Sequence, residues 1–129
     1  MKKVYTHAVV GAGIVGLSVA LKLQSLGNKV LVLDKETSPG KHQSGRNSGV
    51  IHSGIYYKPN SFKSNLCIRG RKLLLEFLEE ENIPFRLEGK IVVDTDVNKL
   101  SSLEERATQL SMDNVKVLEK SDILTLEPY

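Results

Sequence analysis

The pattern of hydrophobic and polar positions from Val4 to Asp34 predicts a strand, a turn, a helix and a second strand. An apolar run with β-branched residues, ending at Val10, leads into a glycine-rich turn at residues 11–16. Apolar positions spaced for a helix follow as far as Leu26, and a second apolar run ends at Asp34. We therefore predict a βαβ unit, the building block of an α/β fold.

Residues 37–61 form a segment without helical or strand periodicity. The segment is dense in Gly, Ser, Asn, His and Pro. A loop of this length inside a compact domain is usually functional or disordered. Because apolar and aromatic residues such as Val50 and Tyr56 favour burial, we predict an ordered ligand-binding loop that contains short strand or helical turns.

The remaining sequence alternates between helical and strand-like segments. The predicted elements are a helix capped by Ser61 and running to about Glu81, a strand at residues 89–94, a helix capped by Asp96, a strand at residues 114–118 and helical turns from Ser121. The resulting four-stranded sheet is incomplete, and its exposed edges are a liability for solubility.

Composition and charge are those of one soluble globular domain. The 129 residues are 40% hydrophobic and 26% charged, with a net charge of +3. Basic residues are scattered and the phenylalanines are not interleaved with them, so we expect no nucleic-acid partner. We also predict no metal site.

The cellular location follows from the N-terminus and the cysteine content. Glycines interrupt the apolar run after Lys3 and no convincing cleavage site precedes Gln24, which argues against a signal peptide. No apolar run is long enough to span a bilayer. The single cysteine, Cys67, fits a reducing compartment. We expect a cytoplasmic protein, and peripheral attachment to the inner membrane stays open.

The glycine-rich turn has the spacing of a dinucleotide-binding motif. Gly11 would permit a tight turn, Gly13 would let the backbone approach a pyrophosphate, and Gly16 would let the helix pack closely on the strand. The phosphates would lie at the positive end of the helix dipole. Asp34, at the end of the second strand, would accept hydrogen bonds from a ribose hydroxyl. An ordinary βαβ turn without a ligand is the alternative interpretation.

The long loop favours FAD over a nicotinamide cofactor. A nicotinamide-binding Rossmann domain would continue after its second strand with another helix and strand of the same sheet. This sequence inserts the polar loop at that point. We therefore predict a larger dinucleotide whose second half is surrounded by the loop.

The loop also carries a specific resemblance. The segment from His42 to Pro59, HQSGRNSGVIHSGIYYKP, closely resembles the signature of the L-2-hydroxyglutarate dehydrogenase/oxidase family. That family is a branch of the D-amino-acid-oxidase-like flavoproteins. The resemblance covers essentially the whole chain, including the helix with Cys67 and the final residues, Leu126 to Tyr129. Members of the family are about three times as long, so the resemblance implies the N-terminal portion only.

The resemblance implies a fold and an activity. The fold would be a Rossmann-like FAD-binding part at residues 1–84, with a long flavin-binding loop, followed at residues 85–129 by the start of an incomplete α+β substrate domain. The activity would be the FAD-dependent oxidation of L-2-hydroxyglutarate, or a similar 2-hydroxy acid, to the 2-oxo acid. Quinone or oxygen would then accept the electrons.

Site residues follow from the motif and the resemblance together. The loop residues would hold the pyrophosphate, ribityl and flavin portions through backbone amides and polar side chains. The predicted cofactor-binding residues are Gly11, Gly13, Ile14, Gly16, Asp34, Lys35, Ser44, Asn47, Ser48, Gly49 and Val50. His52 is the candidate base, and the alternatives are a structural hydrogen bond or a flavin contact without proton transfer. His42 is interpreted as a loop residue near the cofactor.

Three functional hypotheses follow. The first is a flavoenzyme or its FAD-binding portion. The second is a non-catalytic nucleotide-binding remnant, or one half of a split enzyme that assembles with a C-terminal partner chain. The third, a nicotinamide-binding protein, is disfavoured by the loop. A bound yellow chromophore would separate the first hypothesis from the other two.

Overall fold

The computed structural model describes residues 3–128. Residues 1, 2 and 129 lie outside the described part. They are the outer ends of the two predicted domains, and residue 129 is also the last residue of the C-terminal motif that resembles the family. The chain divides into two compact units, of which the first ends at Val50 and the second begins at Ile51. The domain boundary predicted at residue 84 stays a prediction.

The first unit contains the predicted βαβ arrangement. Strand β1 is His7–Val10, helix α1 is Ile14–Ser25 and strand β2 is Val30–Leu33. The strands are parallel, with His7 opposite Val30 and Val10 opposite Leu33, and α1 packs against both. The backbone N–H of Gly11 donates to the Leu33 carbonyl at 2.7 Å and so extends the pairing into the turn. The mixed, Rossmann-like part of the fold prediction is confirmed.

The loop after β2 has little regular structure, as predicted. Its one short helical turn in the first unit is a 3₁₀ helix, Gln43–Gly45. The burial expected for its apolar residues is wrong in two cases, because Val50 and Tyr56 are 61% and 51% exposed. The exposed Tyr56 ring instead lies under the Lys90 ammonium, whose Nζ is 4.3 Å from the ring centroid.

The second unit consists of helices. Helix α2, Phe62–Glu80, starts after Ser61, whose Oγ accepts a hydrogen bond from the N–H of Ser64, as expected for a cap. Helix α3, Val97–Gln109, starts after Asp96, whose Oδ1 accepts from the N–H of Asn98 at 3.0 Å. These two caps confirm the predicted helix starts.

Helix α4, Lys120–Leu126, begins slightly earlier than predicted. Glu119, not Ser121, precedes its first turn, and Asp122 Oδ2 accepts a hydrogen bond from the Glu119 N–H at 2.9 Å. This reciprocal arrangement is a capping box. The sequence prediction missed it because Glu is a less common first residue of that motif than Ser or Thr.

Two strand predictions are wrong. Residues 89–94 and 114–118 are not strands in the described part of the chain. Both segments have strand-like composition, but a strand is stable only when a neighbour accepts and donates its backbone hydrogen bonds. The sheet of the described residues has two strands, β1 and β2, and the start of an α+β domain is therefore not evident in the second unit.

Buried apolar side chains are few in the described chain. Ala12, Ala20 and Ala107 are the buried hydrophobic residues of residues 3–128, and many larger apolar side chains are exposed. In that same range no helix is long and apolar enough to cross a bilayer.

Candidate cofactor site

The glycine-rich turn has a conformation that other residues would strain. Gly11 has a φ of +106°, in the left-handed region that favours glycine. A Cβ atom added at Gly16 would collide with the carbonyl oxygen of Gly11. The first and third glycines of the motif are therefore required by the shape of the turn and by the closeness of α1 to it.

The first turn of α1 presents several backbone donors. The N–H of Ile14 donates to Oγ of Ser44 at 2.9 Å. Within residues 3–128, the N–H groups of Gly13, Val15 and Gly16 have no hydrogen-bond acceptor. Such donors lie at the positive end of the helix dipole and are suited to anionic oxygens. The donor set at this helix end therefore fits a pyrophosphate.

Asp34 connects the end of β2 to the turn. Its Oδ2 accepts a hydrogen bond from the N–H of Ala12 at 2.6 Å, and its Oδ1 accepts from the N–H of Glu36 at 2.8 Å. These two backbone hydrogen bonds, that of Ala12 first, lower the pKa of the Asp34 carboxyl below its ordinary value. The carboxylate is ionised at neutral pH, and its remaining lone pairs can accept from a ribose hydroxyl.

The loop after β2 folds back onto the glycine-rich turn. The N–H of Gly40 donates to the Ala12 carbonyl at 3.0 Å, and Ser44 accepts from Ile14 as described. The loop is thus attached to the turn at two points four residues apart. The approach of Ser44 is close, since a Cβ at Gly13 would lie 3.1 Å from its Oγ.

Asn47 organises the loop itself. Its Nδ2 donates to the carbonyls of Gln43 and Ser44 at 3.0 and 2.9 Å, and its Oδ1 accepts from the N–H of Gly49 at 2.7 Å. The amide side chain is therefore engaged with backbone groups on both sides. This gives Asn47 a clear part in shaping the loop, while its predicted contact with the cofactor stays a prediction.

An open cleft of about 430 Å³ lies beside the turn. Its lining residues are Val10, Gly11, Gly13, Leu33, Asp34, Lys35 and His42. Four predicted cofactor residues therefore line one cleft, and Ile14, Gly16 and Ser44 adjoin it through the first turn of α1. Ser48, Gly49 and Val50 do not line the cleft, and their predicted role stays a prediction.

His52, the candidate base, belongs to the second unit. Its backbone carbonyl accepts a hydrogen bond from Sγ of Cys67 at 3.6 Å. A Cβ at Gly54 would lie 3.5 Å from the same sulfur, so the backbone around His52 lies close to α2. The imidazole of His52 is exposed and has no hydrogen-bond partner among residues 3–128. Its catalytic role stays a prediction.

Two features of the site were not predicted from the sequence. Ala12 supplies both an N–H to Asp34 and a carbonyl to Gly40, although its side chain carries no chemistry. Oε1 of Glu36 lies within hydrogen-bonding distance of Nε2 of His42, at 2.9 Å. The Pro-Gly pair at residues 39 and 40 was the available signal, because it favours a turn that returns the chain toward its start.

Nearly all of the chain matches one family of known proteins. The family model for FAD dependent oxidoreductases matches residues 7–129. The chain belongs to this family. FAD is therefore the cofactor that the family indicates, and the donors of the α1 turn, the Asp34 carboxylate and Ser44 are the groups that would hold its ADP half.

Individual relatives share a more specific name. The chain is 47% identical to an L-2-hydroxyglutarate dehydrogenase of Indibacter alkaliphilus over 126 residues, which are 94% of this chain and 32% of that protein. Identity to mitochondrial L-2-hydroxyglutarate dehydrogenases is 43% for Arabidopsis thaliana and 42% for Mus musculus, over 93% of this chain and 26% and 27% of theirs. The chain thus spans about a third or less of the length of these relatives.

Proposed function

We propose that this chain is the FAD-binding N-terminal portion of an enzyme that oxidises L-2-hydroxyglutarate, or a similar 2-hydroxy acid, to the 2-oxo acid. The observation that carries the proposal is the group of backbone donors at Gly13, Val15 and Gly16, flanked by Asp34 and Ser44. The names and the 40–47% identity of the relatives support the substrate. Quinone or oxygen would accept the electrons from the reduced cofactor.

The proposed oxidation breaks two bonds of the substrate. The C2–H bond is lost as a hydride and the O–H bond as a proton, and the C2 carbon and its oxygen become a carbonyl group. Bound FAD would supply the acceptor of the hydride. His52 would accept the hydroxyl proton, since an imidazole nitrogen can act as a general base.

Within this proposal the residues of the first unit bind and orient the cofactor. The backbone donors of α1 would hold the pyrophosphate, and Ser44 would order the loop against that helix end. Asp34 would accept hydrogen bonds from the adenosine ribose. None of these groups takes part in the transfer of hydride or proton, which gives them a binding role and no catalytic one.

The alternative proposal is a nucleotide-binding protein that does not turn over substrate alone. The observation that favours it is coverage, because the chain matches only 26–32% of the relatives named above. Such a chain would be a remnant, or it would assemble with a separate C-terminal partner chain that supplies further substrate-binding residues.

The testing experiment is a visible absorption spectrum of the purified 129-residue protein after addition of FAD and removal of the free cofactor. L-2-hydroxyglutarate is then added under anaerobic conditions, with D-2-hydroxyglutarate as the matched control ligand. Retention of a flavin band that bleaches only with the L enantiomer supports the enzyme proposal. A band that stays oxidised supports a cofactor-binding portion that needs further substrate-binding residues for turnover.

The Gly16→Ala variant is the control for the binding site. Because the added Cβ would collide with the Gly11 carbonyl, this variant should not retain FAD. If wild-type protein retains no flavin under any condition, the proposal of an FAD-binding portion fails and the non-catalytic remnant is favoured.

A further inference from the structure

We propose that His42 is an adenosine-binding residue of the cofactor cleft and that Glu36 is the residue that positions it. The inference rests on the proposed function, because it assumes that the cleft receives the ADP half of FAD. It goes further by naming the side chain that contacts the adenosine and the partner that orients it.

His42 lines the cleft, and one edge of its imidazole ring is held by Glu36. His42 lines the cleft together with Asp34 and Lys35, whereas Glu36 does not line it. Nε2 of His42 lies 2.9 Å from Oε1 of Glu36. This contact engages the edge of the imidazole and leaves its faces available. The side chain is 52% exposed, so a ligand can reach it.

The backbone on both sides of His42 is attached to the glycine-rich turn. Gly40, two residues before it, donates to the Ala12 carbonyl at 3.0 Å. Ser44, two residues after it, accepts from the Ile14 N–H at 2.9 Å. His42 therefore occupies a short segment that is held at both ends beside the cleft, and Glu36 sets the direction of its side chain.

Charge separates the adenosine end of the cleft from the phosphate end. The carboxylates of Asp34 and Glu36 lie close to His42, and negative groups there disfavour a phosphate, with Lys35 the one cation among the described residues that line the cleft. The backbone donors that suit a phosphate belong to a different element, the first turn of α1. With Val10 and Leu33 also in the lining, the His42 side suits a ribose and a flat purine ring.

The chemistry expected of His42 is stacking of its imidazole on the purine. Aromatic side chains, histidine included, commonly stack on nucleic-acid bases. Removing such a side chain weakens binding of a base by about 5- to 150-fold. For a purine bound in an open cleft, we expect a loss of affinity in the lower part of that range.

The experiment is a calorimetric titration of the 129-residue chain with ADP, and separately with inorganic pyrophosphate. The variants are His42→Ala, His42→Phe, Glu36→Ala and the double variant of both alanine changes. His7→Ala, which changes a histidine of β1 outside the cleft, is the matched control. Circular dichroism of each variant verifies that it is folded.

The expected result is selective for the adenosine part. His42→Ala should weaken ADP binding about tenfold and leave pyrophosphate binding unchanged. His42→Phe keeps an aromatic face and should retain ADP affinity within about threefold. Glu36→Ala should weaken ADP binding about threefold alone and add nothing in the His42→Ala background, as expected for a residue that acts through the imidazole.

Several outcomes would overturn the inference. If His42→Ala binds ADP with wild-type affinity, His42 does not contact the adenosine, and the proposed FAD site is unaffected. An equal loss of ADP and pyrophosphate binding would identify a phosphate contact instead of an adenosine contact. An additive effect of Glu36→Ala in the double variant would contradict the positioning role. Absence of ADP binding by the wild-type chain would overturn both this inference and the FAD-binding part of the proposed function.

Discussion

The two units of the chain differ in how their hydrogen bonds are made. In the first unit, side-chain acceptors join segments that are far apart in sequence, as Asp34 does with Ala12 and Ser44 with Ile14. In the second unit, the side chains of Ser61 and Asp96 serve mainly to start helices within a few residues of themselves. The long-range contacts of Asp34 and Ser44 thus converge on the glycine-rich turn. Those of the second unit, from Arg106 Nη1 to the Tyr56 carbonyl and from Cys67 Sγ to the His52 carbonyl, join α3 and α2 to residues 52–56.

A βαβ unit contains, within one short stretch of sequence, all the segments that form its strand pairing and its turn. Both strands, the covering helix and the acid that holds the turn lie before residue 35, so each finds its partner nearby. The strand-like segments at residues 89–94 and 114–118 have no such partner and stay irregular. The βαβ unit contains both strands of its sheet, whereas residues 89–94 and 114–118 have no neighbouring strand among residues 3–128 that could bond to their backbone.

The sharpest test of the comparison is one substitution made in both units, Gly16→Ala and Gly70→Ala. Both glycines lie within helices, but a Cβ at Gly16 collides with the Gly11 carbonyl, while a Cβ at Gly70 meets no atom within 4 Å. Gly16→Ala should lower the free energy of unfolding by about 1–3 kcal/mol and abolish ADP binding. Gly70→Ala should raise that free energy by about 1 kcal/mol and leave ADP binding unchanged.

Chemical denaturation and calorimetry with ADP measure the two effects. Apart from its chain neighbours and the backbone of its own helix, no atom of the described residues lies within 4 Å of a Cβ built at Gly70. Stabilisation by Gly70→Ala would agree with the open surroundings. Equal effects of the two substitutions would contradict the proposed difference between the units.

The second test replaces Asp34 by Asn. The carboxylate accepts from two N–H groups, whereas an amide offers one acceptor and places a donor opposite the other N–H. We expect ADP to bind about tenfold more weakly at neutral pH. Asp113→Asn, at an exposed position of the second unit, is the control and should leave ADP affinity unchanged.

The Asp34 variant also predicts a pH dependence. Because the folded chain lowers the pKa of this carboxyl, its contribution to stability is complete above the ordinary value of 3.8 and is lost as pH falls through the lower folded value. The difference in unfolding free energy between wild type and Asp34→Asn should be constant from about pH 5 to 7 and shrink below 3.8. A difference that shrinks between pH 5 and 7 would contradict the lowered pKa.

A third test concerns the attachment of the loop. Ser44→Ala removes the acceptor of the Ile14 N–H and frees the loop from the first turn of α1. Affinity for ADP should fall about three- to tenfold, and the Ile14 amide resonance should shift in an NMR spectrum. Ser102→Ala in α3, which removes a hydrogen bond to the carbonyl of Lys99, is the control. Unchanged ADP affinity in Ser44→Ala would show that the loop is held by its other contacts.

The smallest effect on the site is expected from the second unit. Asp96→Ala removes the cap of α3 and should cost about 1 kcal/mol of helix stability, measured as a loss of helical signal on heating. ADP affinity should be unchanged, because the predicted site residues that line the cleft all belong to the first unit. A loss of ADP affinity in this variant would contradict the independence of the two units in binding.

Sequence reasoning succeeded where the determining contacts are local or follow a fixed spacing. The βαβ unit, the caps at Ser61 and Asp96 and the glycine-rich turn all meet that condition. It failed for the strands at residues 89–94 and 114–118, because composition alone does not supply a neighbouring strand. It also missed the pair of Glu36 and His42, since these residues are six positions apart in an irregular loop, where two side chains can take any relative position.

The sequence by itself determined the dinucleotide motif, the parallel pair of strands and the family. Glycine spacing and hydrophobic periodicity suffice for these because they limit the backbone conformation residue by residue. Only the tertiary structure decided that Asp34 accepts a hydrogen bond from the glycine-rich turn, that Ser44 accepts one from the first turn of α1, and that His42 lines the cleft. Those contacts join residues that are 22 to 30 positions apart or lie in an irregular loop, and only the folded path of the chain brings such groups within hydrogen-bonding distance.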